Sequence, residues 1–170
     1  MAIVRVASEN DLKVLSRRLL ELIADEDGQA YRENVSKFGI PYEYVTRAFS
    51  EATLVAASKS GNSKFYLAFQ NGTVIGFAQI IGQHETVAEL DRLIIFPEHA
   101  RKGIGTQLLR EVVIDQRSEG IQTIVVSAGK QEEQARRFYE KNGFRLTNET
   151  TIDAPWGKKL TLVTYQLHLE

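Results

Sequence analysis

The sequence predicts one α/β domain in which helices are layered on a mixed sheet. Three observations carry that reading. Apolar residues alternate in some stretches and recur at helical spacing in others, which separates strands from helices. The order is strand, helices, hairpin, strand, helix, strand, helix and two closing strands. The 170 residues hold no internal repeat, low-complexity tract or linker, so residues 1–170 read as one domain.

Each element has a local reason. AIVRVA (2–7) alternates and predicts a strand. Ser8 and Asp11 stand in capping-box spacing, and Leu12, Leu15, Leu19, Leu22 and Ile23 follow at helical spacing, ending near the acidic ADEDG. QAYRENVSKFGIP is ambiguous and admits a short helix. YEYVTRAFSEATLVAASKSG predicts one helix. KFYLAFQ and TVIGFAQII flank Asn71-Gly72, the signature of a tight type I′ hairpin. TVAELDRLIIFP is a further strand, stopped by Pro97, and IGTQLLREVVIDQRSEG a helix closed by Gly120. The apolar run IQTIVVSA predicts a strand buried on both faces. EEQARRFYEKNG is a short helix with a Gly143 stop. FRLTNETTI and KKLTLVTYQLHLE close the chain as strands, with Val163, Tyr165, Leu167 and Leu169 on one face. The two strand-helix-strand passages of the second half are expected to be right-handed crossovers.

Composition narrows the function. Hydrophobic residues are 43% and charged residues 25%, with a net charge of -1, the profile of a water-soluble chain rather than a general nucleic-acid binder. With no cysteine, disulfides, thiolate catalysis and Cys-zinc sites are excluded. The opening MAIVRVASEN does not read as a signal peptide, and no run approaches the ~18 apolar residues of a membrane span. The expected location is the cytoplasm, with no membrane partner.

Arg101-Lys102-Gly103-Ile104-Gly105 stands directly before the helix residues Leu108, Leu109, Val112 and Val113. A helix N-terminus carries unpaired N–H groups and partial positive charge, and glycines let an anion approach it. That suits a phosphate or pyrophosphate. A tight strand-to-helix turn with two surface cations would look the same. The P-loop pattern is absent, and the dinucleotide pattern would need a glycine where Leu108 stands.

LDRLIIFPEHARKGIGTQLL resembles the acetyl-CoA signature of the GNAT superfamily, the Gcn5-related N-acetyltransferases. ARRFYEKNGF (135–144) resembles the family's second signature, at a suitable separation. The specific motifs cover roughly residues 86–145, and element order covers the whole chain. The resemblance implies a mixed, mostly antiparallel sheet with helices on both faces and a splayed central pair, strands 88–96 and 121–128. It implies acetyl-CoA as cosubstrate and no metal. The pantetheine arm would bond to backbone around Leu93, Ile94 and Ile95, and the pyrophosphate would sit on the amides of Arg101, Lys102, Gly103, Ile104, Gly105 and Thr106. A bulge is expected to disturb the strand at LIIF. Two positions depart from the family pattern: Ala100 stands where its loop usually begins with Arg or Gln, and Glu132 where it often has Asn.

Acetyl transfer needs a neutral amine, a polarised carbonyl and a proton for the departing thiolate. Without cysteine, direct attack in a ternary complex is the simpler route. Tyr139 lies one turn after Ala135 and matches the family tyrosine near the CoA sulfur; it is the candidate proton donor and also a cofactor contact, or else a core aromatic beside Phe138. Glu89 matches the catalytic glutamate of histone-acetylating relatives and is the first candidate base, with Asp91, expected on the same strand face, as second; both could instead be solvated or salt-bridged to Arg92, with water as the shuttle. His84, His99 and His168 are too scattered for a metal site. The acids at 25–27 could meet a cationic substrate or simply end a helix. Trp156 could line the acceptor pocket or staple its loop. The reading is an N-acetyltransferase acting on a small-molecule or peptide primary amine, a polyamine slightly ahead of an amino-sugar antibiotic or a protein amine. A homodimer is compatible with it. The alternative is a non-catalytic acyl-CoA-sensing module, which would need neither Tyr139 nor Glu89.

Overall fold

The computed structural model describes residues 2–170. Strand β1 (Ile3–Val6) leads into helix α1 (Glu9–Ala24). The Ser8 side chain accepts from the Asp11 amide while the Asp11 carboxylate accepts from the Ser8 amide, the reciprocal cap that the spacing predicts. The ambiguous segment is a short helix, α2 (Gln29–Tyr31), that widens into a π-helical turn over Arg32–Ser36.

The single helix expected over the following segment is two, α3 (Tyr42–Ala48) and α4 (Glu51–Lys59). Ser50 breaks it. Its hydroxyl accepts from the Thr53 amide at 3.3 Å and starts α4 afresh. The Phe49 carbonyl freed at the break accepts from the buried Ser16 hydroxyl of α1 at 2.6 Å.

Strands β2 (Ser63–Gln70) and β3 (Thr73–Gly82) form the predicted hairpin. Asn71 and Gly72 hold φ of 52° and 78°, as a type I′ turn requires. Then come β4 (Val87–Ile95), a 3₁₀ turn (Pro97–His99), α5 (Ile104–Ser118), β5 (Thr123–Gly129), α6 (Glu133–Lys141), β6 (Arg145–Asp153) and β7 (Lys159–His168). The sheet order is β1-β2-β3-β4-β5-β7-β6, antiparallel throughout except between β4 and β5.

Two apolar layers sandwich the sheet. One places Leu108, Leu109 and Val112 of α5 against Ala88, Leu90, Ile124, Val126, Val163 and Tyr165. The other places Leu12, Leu15 and Leu19 of α1 with Phe49 and Leu54 against Phe65, Leu67 and Phe77. The second layer is centred on β2 and β3. Strand β5 is therefore not buried on both faces as its apolar run suggests: Ile124, Val126 and Ala128 are buried, whereas Val125 is half-buried and Ser127 exposed. A partly buried network ties β2 to α5: Tyr66 donates to Asp115 and accepts from Gln116, and Lys64 bonds Asp115 at 2.6 Å.

Candidate active site

The site begins where the sheet opens. Pairing between β4 and β5 covers Val87–Thr123, Ala88–Ile124 and Glu89–Val125 and then stops, although β4 runs on to Ile95 and β5 to Gly129. The two strands fork, leaving a slot edged by backbone N–H and C=O groups.

A bulge sits at the fork. Ile80 pairs with Leu90 and Gln79 with Arg92, so Asp91 is the extra residue. Before the bulge, Ala88 and Leu90 face the α5 layer; after it, Leu93 and Ile95 do. The expectation that Glu89 and Asp91 share a face assumed unbroken alternation, and the bulge removes that premise. Gln79 and Ile81 lie on one face of β3, so their partners Arg92 and Glu89 lie together on the face toward α1–α4. Asp91 pairs instead with the Arg92 Nε at 3.5 Å. The Arg92 guanidinium rests 5.1 Å from the Phe49 ring, with one terminal nitrogen buried and unpartnered among the described residues. Burial pushes its pKa down, with Asp91 opposing. The sequence offered Arg92 only as a salt-bridge partner for these carboxylates; its place beside Glu89 depends on the bulge.

On the α5 side, Leu93 of β4 approaches Gly105 in the first turn of α5. Gly103 caps that helix with φ of 79°, and Arg101 also adopts a left-handed conformation at 62°. Among the described residues, the amides of residues 101–106 donate to no protein acceptor, and the first to do so is Gln107, to the Gly103 carbonyl. Six adjacent donors at a helix start form a nest for an anion. A Cβ at Gly105 would stand 3.3 Å from Phe138 of α6 and 3.7 Å from Leu93. Glycine there lets α5, α6 and β4 meet at one point.

Tyr139 of α6 packs among Phe138, Phe144 and Tyr165, with ring centroids 5.6, 5.5 and 6.2 Å away. Its ring is half-buried in the α5 layer. Its hydroxyl has no protein partner among the described residues and is not sealed from solvent. Burial, then the nearby Glu132 carboxylate, push its pKa up to about 12, so it carries its proton at neutral pH. Glu132 itself is engaged: its Oε1 accepts from the Gly129 amide at 3.2 Å.

Glu89 lies on the opposite face, where its carboxylate accepts from Gln83 at 3.1 Å. Tyr139 and Glu89 are thus separated by the sheet, and the fork opens between their two faces. Trp156 donates to the Phe38 carbonyl at 3.0 Å and meets Tyr44 edge-on at 6.0 Å, so it pins the β6–β7 loop to the α2–α3 region. Of the acids at 25–27, Asp25 closes the end of α1 by accepting from the Asp27 amide at 3.1 Å. Among the described residues, no three His, Asp or Glu side chains gather as a metal site, and no helix is long and apolar enough to cross a membrane.

The model of the acetyltransferase (GNAT) family matches residues 22–144. A spermidine N(1)-acetyltransferase of Thermoplasma acidophilum is 35% identical over 97 residues, 56% of this chain and 58% of that protein. An uncharacterized N-acetyltransferase of Mycobacterium tuberculosis is 25% identical over 82 residues, 48% of this chain and 53% of that one. The chain thus spans about half the length of the curated relatives it matches. Among solved structures, the paia N-acetyltransferase of Thermoplasma acidophilum in complex with coenzyme A is 25% identical, covers 98% of this chain and 99% of that one, and superposes with a TM-score of 0.74. An N-acetyltransferase from Staphylococcus aureus Mu50 shares the fold at 19% identity, with a TM-score of 0.75 over 100% of this chain and 99% of that one.

Proposed function

This chain belongs to the acetyltransferase (GNAT) family, and we propose that it moves the acetyl group of acetyl-CoA to a primary amine by direct attack in a ternary complex. The observation that carries the reading is the fork, with a protonated phenol on one face and a carboxylate on the other. Two reactants entering from opposite faces meet inside it, which converts a two-body encounter into a positioned one.

The amides of residues 101–106 hold the pyrophosphate, with Arg101 and Lys102 adding positive charge. The slot edge at Leu93, Ile94 and Ile95 takes the pantetheine arm by backbone hydrogen bonding, as an added strand would. The CoA complex of the paia relative supports this assignment. Tyr139 then protonates the departing thiolate. Glu89, on the acceptor face, takes the proton from the amine directly or through water. Arg92 shares that face and disfavours a second positive charge beside it, which helps keep the amine neutral.

A polyamine is the first acceptor to try, because the Thermoplasma relative is a spermidine acetyltransferase. The test is an acceptor screen with acetyl-CoA, read by release of free thiol. The expected result is amine-dependent thiol release with one acetylated product. Binding of acetyl-CoA without acetylation of any amine or peptide would refute catalysis and leave a sensing module.

A further inference from the structure

Strand β5 is third from one edge of the sheet, yet Ser127 in it is exposed. The reason lies in the layers. Residues Ile124, Val126 and Ala128 face α5, so Val125 and Ser127 face the side of α1–α4, whose apolar layer is centred on β2 and β3. Across the ladder, Val125 pairs with Gln166 and Ser127 with Thr164, which share that face. The Ser127 and Thr164 hydroxyls lie 3.3 Å apart, either able to donate to the other.

The position of this pair is specific. Glu89 is the last β4 residue paired to β5, opposite Val125 and on the same face. Ser127 is the next residue of β5 on that face, just past the point where β4 turns away. At about 3.3 Å rise per residue, it stands roughly 7 Å beyond the Glu89–Val125 pair. The exposed wall of the fork on the acceptor side is therefore hydroxyl-bearing. An amine N–H there meets an oxygen acceptor on β5 while its lone pair is free to face the slot.

We propose that the Ser127–Thr164 hydroxyl pair is the rest for the acceptor amine. Ser127 accepts a hydrogen bond from one amine N–H and gives its own proton to Thr164. This fixes the direction of the nitrogen lone pair while Glu89 deals with the proton to be lost. The inference rests on the acetyltransferase reading above and adds a positioning group to it. It fits a primary amine, which keeps a second N–H for Glu89 after the first is engaged, and it disfavours a tertiary one.

The test uses the wild-type chain, Ser127→Ala, Ser127→Thr, Thr164→Val and the double variant Ser127→Ala/Thr164→Val. Acetyl-CoA is the donor, and spermidine or the fastest amine of the screen is the acceptor. Ser127→Ala should lower kcat/KM for the amine about tenfold, the effect of one hydrogen bond at a reacting group. Its affinity for acetyl-CoA and its Tm should stay at wild-type values. Ser127→Thr, which keeps the hydroxyl on a strand, should recover most of the rate. The double variant should lose less than the product of the two single losses, because the groups act as one unit. Unchanged kcat/KM in Ser127→Ala overturns the proposal while leaving the acetyltransferase reading intact. So does a loss matched by a fall in Tm and in acetyl-CoA affinity, which marks a merely structural pair. A wild-type chain that binds acetyl-CoA but acetylates no amine overturns both.

Discussion

Replacing Tyr139 by Phe removes one oxygen atom from the α5 side of the fork. The ring contacts to Phe138, Phe144 and Tyr165 remain, at centroid distances of 5.6, 5.5 and 6.2 Å. The hydroxyl makes no hydrogen bond to the described residues, so none is lost and no buried partner is orphaned. Stability and acetyl-CoA affinity should therefore be retained, with Tm within a degree or two of wild type. Chemistry should not be retained. A positioned general acid contributes about 10²-fold or more, which corresponds to about 2.7 kcal/mol of barrier. The loss should fall on kcat rather than on KM for acetyl-CoA, because the proton is needed only as the thiolate departs. Burial and Glu132 push the phenol up to about 12, so Tyr139 keeps its proton through pH 9 and the rate should show no alkaline fall from it below that. The assay is steady-state thiol release between pH 6 and 9, with calorimetric titration of acetyl-CoA on the same preparations. A folded, acetyl-CoA-binding Tyr139→Phe protein with wild-type kcat would refute the role.

Gly103→Asp and Gly105→Asp should each weaken acetyl-CoA more than tenfold. The first adds charge at a left-handed position and the second drives a side chain into Phe138, 3.3 Å from its Cβ. Lys102→Ala should cost less if, as proposed, backbone amides hold the pyrophosphate; equal wild-type affinity in both glycine variants by calorimetry would take the loop out of the site. Glu89→Gln should lower the rate most at low pH, where the amine most needs deprotonation. A pH–rate profile unchanged in shape and height would hand the role to Asp91 or water. Stability should hold below pH 10 and fall as pH rises above it. The folded state raises the Tyr139 and Tyr66 pKa values above their unfolded value near 10, so the unfolded chain loses those protons first. Denaturant midpoints measured from pH 8 to 11 check this, and a flat curve would contradict it.

Most of the fold was legible because its signals are local. The capping box at Ser8 and Asp11, the Asn71-Gly72 turn, and the stops at Gly120 and Gly143 act within a few residues, and each stands where expected. The loop at 101–106 was legible for the same reason. The break at Ser50 was also written locally, as a cap before Thr53, but an apolar pattern running through it concealed it. Other features depend on distant chain. A bulge was expected at LIIF, but the extra residue is Asp91, two positions before Leu93; its place is set by the register with β3, and so the company of Arg92 with Glu89 was hidden. The exposure of Ser127 was hidden too, because it follows from how far α1–α4 extend over the sheet, whereas the run IQTIVV suggests burial on both sides.

The fork has a mechanical meaning. One leaf of the molecule is β1–β4 and the other is β5, β7 and β6, stitched along a seam only three residue pairs long. The leaves touch again past the seam, where Phe138 of α6 meets Gly105 of α5. They resemble the covers of a book bound at one end of the spine. A ligand lying along Leu93–Ile95 with its anionic end on the α5 amides would act as extra binding thread, replacing stitches the chain omits. Backbone amides near Val87 and Thr123 would then be guarded in every state, while those lining the open margin would gain protection only when the volume is filled.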